Sequence, residues 1–207
     1  MGYPIFYFPK YSWVLEGRGS GFLTPDLHRF TESNNNEDAY RLRVPYYLNL
    51  APDRDLVLAY TFISSRGSVF DGTYRQLIKR NKTTQKEYEK TKKNYKDSTF
   101  DIETQYLFGD EITSLNRWLL NTNVELDLNN KTHLSSKYYR VSDSQYFKEI
   151  LHGDTTLERL NSHVDITFND PDSHTSASAL TNSEQVVNNG IAEYTKDYEF
   201  SLSRTLN

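Results

Sequence analysis

Along most of this 207-residue chain apolar residues recur at every second position, and that period limits the fold more than any other feature. A two-residue repeat puts neighbouring side chains on opposite faces of an extended strand, whereas a helix needs a repeat near 3.6. Between 116 and 128, Trp118, Leu120, Thr122, Val124, Leu126 and Leu128 share one face. Arg117, Asn121, Asn123, Glu125 and Asp127 share the other, with Leu119 as the one intruder. The run 100–108 sets Phe100, Ile102, Thr104, Tyr106 and Phe108 against Asp101, Glu103 and Gln105. Runs 40–50, 160–168 and 198–206 alternate in the same way, and 20–30, 55–64, 69–78, 132–142 and 174–187 do so less cleanly. The pattern predicts roughly ten strands, most near the ~9–11 residues that cross a membrane as a tilted strand.

Turn formers separate the runs at Ala51-Pro52-Asp53-Arg54-Asp55, Ser65-Arg66-Gly67-Ser68, Asn129-Asn130-Lys131 and Asp170-Pro171-Asp172-Ser173. Such short links join strands that are neighbours, so the expected topology is an antiparallel meander. Connections alternate short and long from Asn129 onward, an asymmetry found in transmembrane barrels. Alternation by itself leaves two architectures open. The polar face meets bulk water in a soluble sandwich and a water-filled lumen in a large barrel, where the apolar face meets lipid.

Composition narrows the classes. A mean hydropathy of -0.75 excludes a helical membrane protein. Sixteen Tyr and eleven Phe are too many aromatics for a disordered chain, and they favour strands and wet boundaries. A net charge of -4 gives no global footprint for nucleic acid. The one strongly basic stretch, 79–97, reads as a solvated loop insertion before it reads as a phosphate-binding arm. With no Cys there is no disulfide or thiolate metal site in this stretch. Met1 is followed by no basic n-region and no long apolar core, so the sequence given shows no targeting segment.

No catalytic or metal constellation is expected. The five His are scattered, and neither a nucleophile elbow nor a phosphate-cradling Gly loop is present. The Asp170-Pro171-Asp172 and Asn34–Asp38 clusters read as turns before they read as Ca²⁺ ligands. The oddest local feature is a Pro inside each of two consecutive strand runs, Pro25 and Pro45. A Pro has no N–H for the ladder. One such Pro protects an edge; two on adjacent strands make a weak seam that is able to unzip.

The strings Pro4-Ile5-Phe6-Tyr7-Phe8-Pro9, Ser20-Gly21-Phe22-Leu23-Thr24-Pro25 and Val44-Pro45-Tyr46-Tyr47-Leu48-Asn49-Leu50-Ala51-Pro52-Asp53-Arg54-Asp55 resemble the LptD (OstA/Imp) family of lipopolysaccharide-assembly outer-membrane proteins. Ser65-Arg66-Gly67, Tyr74-Arg75, Gln105-Tyr106-Leu107, Arg117-Trp118 and Val141-Ser142-Asp143-Ser144-Gln145-Tyr146-Phe147 extend the likeness in order. The resemblance implies an all-β fold. Residues 1–19 would be the end of a periplasmic β-jellyroll, and 20–207 the first ten or so strands of a large outer-membrane β-barrel. It implies a non-enzymatic role without cofactor: lipopolysaccharide leaves sideways through a lateral gate whose two prolines align with Pro25 and Pro45. Implied partners are lipopolysaccharide, the LptE lipoprotein plug, a periplasmic LptA-type bridge at the jellyroll and outer-membrane lipid, with the N-terminal end facing the periplasm and no nucleic acid. Arg41 and Arg43 become candidate phosphate contacts in the lumen, and Tyr46 and Tyr47 candidates for an aromatic girdle. The family's disulfide cysteines flank this region in relatives, and 79–97 is an insertion where a short periplasmic turn is expected. The alternative is a soluble β-sandwich that binds carbohydrate on Trp118 and Tyr platforms.

Overall fold

In the computed structural model, residues 19–32, 37–78, 98–151, 157–188 and 197–205 are described. They form one antiparallel sheet of eleven strands. In chain order these are β1 (Gly21–Phe22), β2 (Asp26–Thr31), β3 (Asp38–Ala51), β4 (Arg54–Ile63), β5 (Gly67–Ile78), β6 (Ser98–Leu107), β7 (Arg117–Asp127), β8 (Thr132–Val141), β9 (Arg159–Asp170), β10 (Thr175–Val186) and β11 (Tyr198–Arg204). Each strand from β3 to β11 pairs with its sequence neighbour, and β1 and β2 both pair with β3. The sheet is an open meander, as the turn chemistry requires. A sandwich needs a second sheet over the apolar face, and the described residues supply none.

Ten runs were expected and each is a strand, except that 20–30 is split in two where the chain leaves the ladder at Leu23–Pro25. The jellyroll end expected over 1–19 lies, apart from Gly19, outside the described residues, as does the basic stretch 79–97. No helix among the described residues is long and apolar enough to cross a membrane, which says nothing of strands.

Register makes the two faces continuous. Tyr46, Leu58, Gly72, Thr104 and Leu120 stand in one row across β3 to β7, and Leu48, Leu56, Tyr74, Ile102 and Thr122 in another. This outer face leaves large apolar side chains exposed, among them Leu42, Leu58, Phe62, Phe70, Ile166 and Phe200. The opposite, inner face carries Arg43, Asp55, Asp71, Arg75, Asp101, Glu103, Glu125 and His133; Arg43 pairs with Asp71, Arg75 with Asp55, His133 with Glu125, and Glu103 accepts from Asn121. Many polar side chains pair there, while the apolar side chains on the other face have no cover among the described residues.

The meander places the connections alternately at two ends. Among the described residues, Pro52-Asp53, Leu128–Lys131 and Pro171–His174 lie at one end, and 64–66, 108–116, 142–151, 157–158 and 187–188 at the other. At the second end the inner face turns apolar and is covered. A short π-helix, Phe147–Leu151, buries Phe147 and Ile150, with Tyr146 before it, against Ile63, Val69, Leu107, Leu119, Val141, Leu160 and Val187. Leu119, the intruder in its strand, is the seat of that contact, only 2% exposed.

Candidate functional site

The prolines meet at one place. Phe22 stands opposite Tyr46 and Asp26 opposite Arg43, so Leu23, Thr24 and Pro25 on one strand face only Val44 and Pro45 on the other. That one-residue excess is a bulge, which bends the first strand and interrupts its ladder. Pro45 accepts a 2.9 Å hydrogen bond from the Leu23 N–H. In an antiparallel pair a residue's N–H and C=O point to the same neighbour. The donor that Pro45 lacks is therefore missing from the first strand's side, and the β3–β4 ladder loses nothing. Among the described residues β1 is held further by an edge-to-face contact of Phe22 on Tyr46 at 4.9 Å and by the Asn49 N–H donating to Ser20 Oγ at 2.9 Å.

Arg41 and Arg43 lie on the inner face beside this seam, as their shared parity demands. Arg43 pairs with Asp71 at 2.6 Å. Arg41 donates to the Leu151 carbonyl at 3.0 Å and approaches Asp26 at 3.5 Å, while its buried Nε has no hydrogen-bond partner among the described residues. Tyr46 and Tyr47 do not act together, because neighbours in a strand face opposite ways. Tyr46 is on the outer face within β3, whereas the Tyr47 hydroxyl donates to Asp55 at 3.4 Å on the polar face, so the two share no face. The aromatic row on the outer face is instead Tyr60, Phe70, Tyr106 and Trp118, in register across β4 to β7. Tyr60 and Phe70 meet at 5.4 Å, and Phe108 joins Phe70 at 6.1 Å and Tyr106 at 4.3 Å.

The densest chemistry sits on the inner face at the covered end. Gly67, with φ of 105°, closes the β4–β5 turn in a conformation only glycine takes comfortably, and the turn points Arg66 inward. Arg66 is 0% exposed. It grips both Glu32 oxygens, at 2.9 and 3.0 Å, and reaches Asp110 at 2.8 Å and Glu149 at 3.2 Å. Arg117, the first residue of β7, grips both Asp143 oxygens at 2.9 and 2.6 Å, then Glu149 at 2.6 Å and Asp110 at 3.2 Å. Its guanidinium also lies 5.8 Å from the centre of the Tyr146 ring, and the Tyr146 hydroxyl donates to Gln105 at 3.0 Å. Burial opposes the charge on Asp110, yet the Ile112 N–H and the guanidinium groups of Arg117 and Arg66 hold its carboxyl below the usual range. Burial likewise opposes the charge on Asp143, and hydrogen bonds from Arg117 and the Ser142 hydroxyl outweigh it.

Alternation says nothing about this network, because most of its members stand in turns and connections where no period operates. Its signal was in the strings Ser65-Arg66-Gly67, Arg117-Trp118 and Ser142–Phe147, which carried the resemblance without a role for any residue. Of the turn clusters considered for Ca²⁺, Asp170-Pro171-Asp172 is bridged by Lys131, at 2.6 Å to Asp170 and 3.7 Å to Asp172, and Asn34–Asp38 lies mostly outside the described residues.

No family model matches the chain. Among curated proteins it is similar to the LPS-assembly protein LptD of Thiobacillus denitrificans, 31% identical over 170 residues, which cover 81% of this chain and 20% of that protein. The LPS-assembly protein LptD of Paraburkholderia xenovorans is 32% identical over 150 residues, 72% of this chain and 16% of its own length. The Neisseria meningitidis LPS-assembly protein LptD is 46% identical over 77 residues, 37% of this chain and 9% of its own. The chain thus spans a fifth or less of the length of these curated relatives.

Proposed function

This chain is related to a segment of the LPS-assembly protein LptD, and we propose that its sheet is part of an outer-membrane β-barrel that passes lipopolysaccharide sideways into the outer leaflet. The observation that carries the reading is the coincidence of a two-faced sheet with a bulge and two prolines where the first strands meet β3. An amphiphile with phosphorylated sugars and several acyl chains needs a polar surface for its head and a lateral exit for its tails. The inner face supplies the first and the seam at Pro25 and Pro45 the second. Each absent hydrogen bond removes a net ~0.5–1.5 kcal/mol that opening would otherwise have to overcome.

In this reading the outer face meets lipid, and the row Tyr60, Phe70, Tyr106 and Trp118 lies toward the interface, where amphipathic rings settle. Arg41 and Arg43 are the phosphate contacts, where an anion competes with Asp26 and Asp71. The end with the long connections faces outward and the N-terminal end faces the periplasm. There a jellyroll over 1–19 would receive lipopolysaccharide from an LptA-type bridge, with an LptE-type lipoprotein filling the lumen. The role is transport, without catalysis or cofactor.

The test replaces Pro25 and Pro45 by Ala together, in the protein expressed from its native gene. Restored donors strengthen the seam, so newly made lipopolysaccharide should reach the cell surface more slowly at an unchanged amount of folded protein. Unchanged delivery in the double variant would remove the gate from the reading.

A further inference from the structure

We propose that Arg66 and Arg117 are positioning residues that bolt the segment Ser142–Leu151 across the inner face as a cap, so that this end of the sheet stays closed while the seam opens. The inference rests on the barrel reading above. The cap is described along its whole length, and it is held at three points. Arg117 takes Asp143 at its start through a two-pronged contact. Arg117 and Arg66 share Glu149 near its other end, at 2.6 and 3.2 Å. Arg41 of β3 takes the final carbonyl, that of Leu151. The anchors come from β3, the β4–β5 turn and β7, so the cap spans several strands rather than lying along its own hairpin.

Apolar packing of Tyr146, Phe147 and Ile150 would suffice to bury this segment. The charges do something packing does not: a planar guanidinium with its donors committed admits one orientation of its partners. Buried ion pairs add little net stability over apolar contacts of the same volume, and their best-attested use is to fix one arrangement. Here the arrangement fixed is a closed one. With this end capped, a lipid whose head group has entered the inner face has only the lateral way out. An open end would also admit large polar solutes.

Glu149 gives the cleanest test, because its loss leaves Arg66 with Glu32 and Asp110, and Arg117 with Asp143 and Asp110. A thiol is introduced by Ile150→Cys, at a position 2% exposed, in the protein expressed from its native gene. Intact and lysed cells are treated with a polymer-linked maleimide too large for porins. Adding Glu149→Gln should raise the labelling rate on intact cells roughly tenfold, the scale of one lost charge-assisted hydrogen bond, and should sensitise cells to large polar antibiotics. The heat-modifiable folded band controls for folding; if Glu149→Gln lowers it, Arg66→Lys, which keeps the charge and loses the fork, takes its place with the same expectation. Equal rates with and without the second substitution on intact cells would overturn the bolt and leave the barrel reading standing. Labelling that appears only after lysis in both backgrounds would sink the outward-facing barrel end, and the cap with it.

Discussion

Asp110 and Asp143 hold their charge at sites where burial opposes it, and this sets a pH dependence. Both carboxyls titrate lower in the folded state than in the unfolded chain. Their stabilising contribution is therefore complete above the unfolded value of about 3.9 and is lost as pH falls through the depressed folded values. Acid titration of the folded protein in detergent micelles should show a loss of stability beginning below about pH 4, and Asp110→Asn should flatten it. A profile that is unchanged in Asp110→Asn would mean that other carboxylates govern acid unfolding. At the same scale, Pro45 and Leu119 were legible as anomalies, one a missing donor and the other a break in alternation. Their meaning was not, since it depends on which neighbour a backbone faces and on what covers a face. Arg66 was legible only as part of a string without a role, and Glu32, Asp110 and Glu149 not at all: they are ordinary charged residues outside the strands, brought together across 117 positions of chain from Glu32 to Glu149.

Among the strands, β8 and β9 show how a ladder is kept where its backbones part. They pair in register only from Thr132 to Lys137. Beyond that, Ser162 Oγ accepts from the Tyr139 N–H at 3.0 Å, and the Gln185 amide of β10 meets both backbone groups of Val141, at 3.0 and 2.8 Å. A side-chain amide presents both an N–H donor and a carbonyl acceptor, as a peptide unit does, so Gln185 stands in for the missing strand. Gln185→Ala should destabilise by roughly 1–3 kcal/mol for each of the two groups left unpaired, read from the denaturant midpoint of the folded protein. A midpoint within error of the parent would show that water or β9 replaces the amide. The strands themselves were legible because a two-residue period acts locally. The split of the first one was not, because a bulge is a mismatch between two strands and belongs to neither sequence alone.

For the whole molecule, the decisive question is what covers the outer face. Leu58 lies in the middle of β4 and 48% exposed, Phe62 near its end and 43% exposed, and Thr73 on the inner face of β5 opposite Glu103. Lipid imposes a cost that depends on depth: an Arg costs ~2–4 kcal/mol at the midplane and ~0–1 kcal/mol near the interface. A covering protein layer has no such gradient, since any buried unpaired guanidinium is expensive wherever it falls. Leu58→Arg should therefore lower the folded fraction in lipid vesicles strongly and Phe62→Arg weakly. Thr73→Arg, which gains a carboxylate neighbour across the polar face, should be tolerated. Thinner bilayers should narrow the gap between the first two, because the same strand position then lies closer to the head groups. Equal losses at Leu58 and Phe62, insensitive to bilayer thickness, would place protein rather than lipid against this face. In that case the alternation would describe a sandwich whose second sheet lies elsewhere.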